Sequence, residues 1–374
     1  MLTIIYDVRK SKKNSNFFYV FADIVLILLA GLRFRVGGDS LEYENVFYNL
    51  PDFEYIFNVG LSGLEYQPLW YVFNAIIKYF SNFFVSFQLI HAIIVNTSFF
   101  IIISKYCKHR FTAVTLYYIL IFPYFNMEIL RESLAVIIFL FAYKYLYNKK
   151  YIRYYLLVFL SYLFHASAIF LFILPFLVYF LENKISLSKL FIISSIAFLS
   201  SYSVSLIGNI LDFNEFIASR YEKYTSLEVS VNEIIKGIYN LTILLGVMLV
   251  LKSAKLDSKH NNIIFNIYFL ITALSMNIIG TYRLLNYFSI FYIFIIVDLI
   301  YEYKFSSLKI KTIIVCILFS IIIDKIYYYS RDMSEYNNGN VAYAYHRFIP
   351  YRSIFNPQID LRRERIFYNE LDTQ

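Results

Sequence analysis

Charge is the scarcest resource of this chain. Asp, Glu, Lys and Arg make up only 16% of it, too little to cover a water-soluble globule of this size. Glycine is scarce as well, with ten in all, and a transmembrane barrel would need many Gly and Asn turns between short alternating strands. Cysteine occurs twice, as Cys107 beside a basic loop and Cys316 inside an apolar run, so neither a disulfide nor a thiolate metal framework follows. Walker-type loops, HExxH and Cys or His clusters at ligand spacing are all missing, and no metal or nucleotide cofactor is expected.

What is present is apolar: 59% of residues are hydrophobic, 21% are aromatic and the mean hydropathy is +0.58. Several apolar runs of about 17 to 22 residues can each cross a hydrocarbon core about 30 Å thick as a helix. The expected fold is therefore all-α, a polytopic helical membrane protein with about eleven transmembrane helices. They are placed at 17–33, 84–104, 111–126, 128–147, 151–165, 167–182, 188–208, 234–252, 262–280, 284–302 and 312–326. The opening residues "MLTIIYDVRKSKKNSN" carry no small-residue cleavage site, so the first run reads as a retained span. No linker or repeat divides the chain, which is taken as one domain, 1–374, with outer segments 34–83, 209–233 and 327–374.

The surplus of eight positive charges does not imply a nucleic-acid partner, because the loops "DVRKSKKN", "SKYCKHR", "YKYLYNKKYIR", "ENKISLSK", "LKSAKLDSKH" and "YEYKFSSLKIK" hold more than half of the 34 Lys and Arg residues. Alternating spans put all six on one side, which the positive-inside rule makes cytoplasmic. Counting 66–80, "YQPLWYVFNAIIKYF", as a span would break that alternation. It is read instead as an amphipathic helix on the outer surface, with Pro68 in its first turn and Trp70 and Tyr71 at headgroup level. The amino terminus then lies in the cytoplasm and the tail, from about Tyr327, outside.

Against these lysine-rich inner loops, the outward span ends are rich in arginine: Arg33 and Arg35 after the first span, Arg131 at the start of the fourth, Arg220 after the seventh and Arg283 at the start of the tenth. A guanidinium fork grips phosphate or carboxylate through paired hydrogen bonds and stays charged at low dielectric, so converging arginines suit a diphosphate. The competing reading is that each arginine anchors a helix end or pairs with a local acid. Glu128, Arg131 and Glu132 stand at i, i+3 and i+4, one face of a helix. His165 occupies a tight outer hairpin, "SYLFHASAIF", and is either structural or a base working near neutral pH. Arg283, Asn286 and Tyr287 share a face in "GTYRLLNYFSIFY", and Asp23 and Asp298 read as packing groups near inner span ends.

In order, "LRFRVGGDSLEYENVF", "EYQPLWYVFNAIIKYF", "MEILRESLAVIIFLFAYKYL", "YLFHASAIFLFILPFL", "TYRLLNYFSIFYIFII" and "RFIPYRSIF" resemble the blocks of the EpsG family of polysaccharide polymerases, Wzy-type enzymes of O-antigen and capsule assembly. Where the family commonly carries Thr this chain has Gly38, so no hydroxyl role falls there. The resemblance implies a GT-C-like, metal-independent glycosyltransferase in the bacterial inner membrane. Such an enzyme transfers a growing chain from undecaprenyl diphosphate to the next lipid-linked oligosaccharide repeat unit at the outer leaflet. Membrane lipids and a chain-length regulator would be its partners.

Displacing a sugar from a diphosphate builds charge on the leaving group, which preorganised arginines stabilise. Arg35, Arg131 and Arg283 are the first candidates for the diphosphate, with Arg220 and Arg33 second. His165, Asp39 or Glu132 would take or steer the proton of the acceptor hydroxyl, His165 as base with Asp39 orienting it being the favoured pairing. The rival functions are a lipid-linked oligosaccharide flippase, an O-antigen ligase and a membrane acyltransferase of surface glycans.

Overall fold

The computed structural model describes residues 1–50, 66–181, 231–253, 259–275, 281–301, 308–331, 336–338, 341–343, 347–361 and 363–364. Helix dominates, as the apolar runs require, since a backbone in hydrocarbon must satisfy its own hydrogen bonds. Helical segments stand at every expected span except 188–208, which lies outside the described residues together with the segment 209–233. Two of them, Phe84–Tyr106 and Tyr282–Tyr301, are long and apolar enough to cross a membrane. The fold is all-α as expected, and a short antiparallel hairpin, β1 (Tyr336–Asn338) and β2 (Val341–Tyr343), accompanies the helices.

The chain divides into two compact units. The first comprises 1–141, 159–166 and 320–374. In it α1 (Ser15–Gly31) and α2 (Ser40–Tyr48) precede α3 (Pro68–Phe80), α4 (Phe84–Tyr106), α5 (Arg110–Leu120) and α6 (Phe122–Met127), followed by the start of α7 (Leu130–Tyr147). Helices α1 and α4 lie against each other closely enough that a Cβ on Gly31 would sit 2.5 Å from Leu89 Cδ2. Polar side chains inside this apolar stack are used in closed sets. Tyr117 donates to Asn96 Oδ1 at 2.8 Å, Asn96 to Asn126 Oδ1 at 2.8 Å and Asn126 back to the Tyr117 hydroxyl at 3.0 Å, tying α4, α5 and α6 together.

Helix α3 forms where an amphipathic helix is expected, and Pro68, whose fixed φ suits the first turn, is its first residue. The placement of Trp70 at headgroup level is corrected. Trp70 is fully buried, edge-on to Tyr43 and Phe87 at 5.4 and 5.3 Å, and Tyr79 and Phe80 hold the exposed positions. Burying an indole against two rings removes more apolar area from water than the interface would.

The second unit comprises 142–158 and 167–319. Its described helices are the end of α7, most of α8 (Tyr151–Tyr162), α9 (Leu174–Leu181), α10 (Val231–Ser253), α11 (Lys259–Ser275), α12 (Ser289–Tyr301) and the first half of α13 (Leu308–Arg331). Leu244, Met248, Phe265 and Phe269 form its core, and Tyr268 stacks on Tyr292 at 4.9 Å. A 3-10 segment, Thr281–Phe288, leads into α12, so Arg283 stands in that tighter turn and not at the start of an α-helix. Tyr287, whose hydroxyl lies 2.8 Å from Ser167 Oγ, is fully buried.

Candidate functional site

The residues after α1 do not form a free loop. Tail residues 347–354 run along them: Phe34 N donates to Arg352 O at 2.9 Å, Ile354 N to Leu32 O at 3.0 Å and Gly37 N to Arg347 O at 2.7 Å. The first and last of the six sequence blocks thus meet in space. Gly37 adopts φ +111, and a Cβ there would lie 1.7 Å from Met127 O, so only glycine fits between tail and the α6 terminus. Beneath Gly38, Glu128 Oε1 would be 3.1 Å from a Cβ at that position.

Arg363 organises the loop. One nitrogen donates to Arg35 O at 2.5 Å, and the other donates to Gly38 O at 3.0 Å, to Ser40 Oγ at 2.9 Å and to Gly37 O. Nothing local in the sequence marks this residue, which is 328 positions from Arg35.

The five candidate arginines have different fates. Arg33, 1% exposed, turns its Nε to Val36 O at 3.1 Å and Nη1 to Ala30 O, which makes it a brace for the helix end. Arg35, at φ +53, donates to Glu44 Oε2 at 2.8 Å and to Glu364 Oε1. Burial works against its charge, but the hydrogen bonds and fields of Glu44 and Glu364 outweigh it and raise the pKa. Both side chains are thereby committed to partners within the fold.

Arg131 differs. Its guanidinium lies 4.0 Å from the centre of the Tyr66 ring, its field acts on the buried Tyr43 hydroxyl, and no carboxylate lies within salt-bridge distance among the described residues. Tyr66 in turn donates to Glu42 Oε1 at 2.7 Å. Arg283 stands in the second unit, and Arg220 lies outside the described residues.

The shared helical face expected for Glu128, Arg131 and Glu132 is corrected, because α7 begins at Leu130 and Glu128 lies in the break after α6. Its carboxylate faces Arg347 Nη1 at 3.3 Å and the Tyr328 hydroxyl at 3.4 Å. Burial, with help from the field of Asp39 and against that of Arg347, pushes its pKa up to about 7. Glu132 is buried at 2% exposure. Asp39 is half-buried at the N-cap of α2, and its field also raises the buried Tyr43 hydroxyl, where desolvation is the larger cause. His165, buried between α8 and the 3-10 turn Ala166–Phe172, joins the unit through its hairpin, where Leu163 O accepts from Leu69 N at 3.0 Å.

A second buried histidine, His91, bonds Leu130 O at 3.0 Å and Ser133 Oγ at 2.9 Å, on either side of Arg131 in the chain. Its position mid-span in an apolar run was a signal that sequence reading passed over. Among the described residues no group of His, Cys, Asp and Glu is arranged to hold a metal ion.

In a comparison with known families, residues 16–353 fit the EpsG family. The chain belongs to the EpsG family. That family is associated with polysaccharide polymerase-type proteins, and with the apolar helices it fits a membrane protein of surface polysaccharide biosynthesis. No curated protein and no solved structure matches the chain. The tail residues Arg363 and Glu364, which fasten the loop, lie beyond the stretch that fits the family.

Proposed function

We propose that this EpsG-family protein is a repeat-unit polymerase that moves a growing polysaccharide from undecaprenyl diphosphate to the next lipid-linked oligosaccharide, with Arg131 gripping the departing diphosphate. The observation that carries this reading is the state of Arg131: half-buried, laid on the aromatic face of Tyr66, with its charge unmatched by any carboxylate within salt-bridge distance among the described residues. A guanidinium so placed is preoriented for an incoming anion and strengthens its hold as charge develops on the leaving oxygen. A neutral partner keeps it in position without cancelling its charge.

The acceptor hydroxyl attacks the anomeric carbon, the bond from that carbon to the diphosphate oxygen breaks, and the electron pair leaves with the lipid diphosphate. The hydroxyl proton passes to a nearby base, for which Asp39 is the better placed of the candidates. Its field reaches both Tyr43, on which Arg131 also acts, and Glu128. His165 and Glu132 are more deeply enclosed and fit orienting roles. Arg283 remains a further diphosphate ligand to be tested alongside Arg131.

Deleting the gene and restoring it with Arg131→Ala tests the reading by electrophoresis of surface polysaccharide. The expected result at normal protein level is loss of the ladder beyond one repeat, with single-repeat product kept. Full-length ladders would remove Arg131 from the site, and loss of every repeat would point to a flippase or ligase. Arg131→Lys should recover less than a tenth of the polymer, because an ammonium cannot reproduce the fork.

A further inference from the structure

The residues before α1 fold back against α5. Thr3 Oγ1 lies 3.0 Å from Thr115 Oγ1, the Tyr6 ring stacks on Phe111 at 4.6 Å, and buried Asp7 accepts from Thr112 N at 2.6 Å and Thr112 Oγ1 at 2.8 Å. This carboxylate is therefore already engaged in the first turn of α5, where backbone N–H groups otherwise lack partners. The fold-back forms a cleft of about 690 Å³ that gathers Lys10, Lys12, Lys108 and Arg110, and Asp7 is the only acid among its described lining residues.

Arg110 donates to Ser15 Oγ at 2.8 Å and Asn16 Oδ1 at 2.6 Å and lies 4.6 Å from the Tyr19 ring centre, so neutral groups fix it and leave its charge intact. Lys10 and Lys12 are exposed and make no ion pair among the described residues. One wall of the cleft is Phe17, which also begins an apolar stripe along α1. Phe17, Val20, Phe21, Ile24, Val25 and Leu28 recur at helical spacing, with 44% to 66% of each exposed.

We propose that the cleft binds the phosphate of an anionic phospholipid whose hydrocarbon lies along this stripe. The cations supply recognition of a phosphodiester, and the apolar stripe, for which a soluble phosphate would have no use, selects an amphiphile. The site is separate from the proposed polymerase centre, at the opposite end of a helix about 25 Å long. It stands or falls independently of that reading.

Native mass spectrometry of the full-length protein released from micelles with equal phosphatidylglycerol and phosphatidylcholine tests it. The wild-type protein should retain phosphatidylglycerol preferentially, and Lys10→Gln with Lys12→Gln should reduce that preference about tenfold or more. Lys149→Gln with Lys150→Gln, which removes equal charge from another exposed basic loop, should leave the preference unchanged. Equal losses from both pairs, or none from the first, would overturn the assignment. Adding glycerol phosphate in excess separates lipid from soluble anion: retained phosphatidylglycerol supports the proposal, and its displacement would make the ligand a soluble phosphate and end the lipid reading.

Discussion

The two ends of α1 carry similar positive charge and use it in opposite ways. At the carboxyl end, Arg33, Arg35 and Arg363 are turned to backbone carbonyls, a serine hydroxyl and two glutamates, and the chain itself absorbs them. At the amino end, Lys10, Lys12 and Arg110 surround a cleft whose one acid among the described lining residues is already bonded to Thr112. Counting cations therefore does not locate an anion site; the decisive quantity is how much charge remains after the fold has supplied its own partners. Arg131 belongs with the first group in sequence and with the second in chemistry.

The contrast predicts large stability effects at one end and small ones at the other. Gly37→Ala places a methyl group on Met127 O in a left-handed backbone region, and should destabilise the protein by at least about 4 kcal/mol. Lys10→Ala should change it by less than about 0.5 kcal/mol. Thermal unfolding of the purified variants compares them, and similar melting temperatures would erase the distinction. Arg363→Ala, which strips donors from the carbonyls of Arg35, Gly37 and Gly38, comes next at about 3 kcal/mol. Proteolysis of the tail in intact membranes should rise with it.

Local signals made part of this legible. Pro68 marked the start of α3, and the lysine-rich loops before α1, between α4 and α5 and between α7 and α8 marked helix ends. Arg35 and Arg131 could not be told apart, because each follows or begins an apolar run and one of the two glutamates that occupy Arg35 arrives from 329 residues away. Trp70 misled for a different reason: an indole suits both a membrane interface and a core, and only the packing of Tyr43 and Phe87 decides between them. Glu128 was read as helical because spacing cannot reveal that the helix has already broken.

A titration sharpens the comparison further. The Glu128 pKa, raised by burial from 4.5 to about 7, means that the folded protein holds this proton more tightly than the unfolded chain does. Its contribution to stability is complete below about pH 4.5 and is lost as pH climbs through 7. Relative to Glu128→Gln, the wild-type protein should lose about 2 kcal/mol between pH 5 and pH 8. Parallel pH profiles for the two proteins would show that Arg347 already keeps the carboxylate ionised.

A small effect probes the carboxyl end itself. Arg35 meets Glu44 and Glu364 with side chains only partly shielded from solvent, 23% exposed for Arg35 and 17% and 18% for the acids. Screening should hold each coupling to less than about 1 kcal/mol in a double-mutant cycle of Arg35→Gln with Glu364→Gln. Polymer length should respond little to either substitution if Arg35 serves the fold. A fall in polymer comparable to that of Arg131→Ala, without loss of stability, would instead mean that the glutamates release Arg35 when substrate arrives, and the line drawn between structural and anion-binding arginines would have to move.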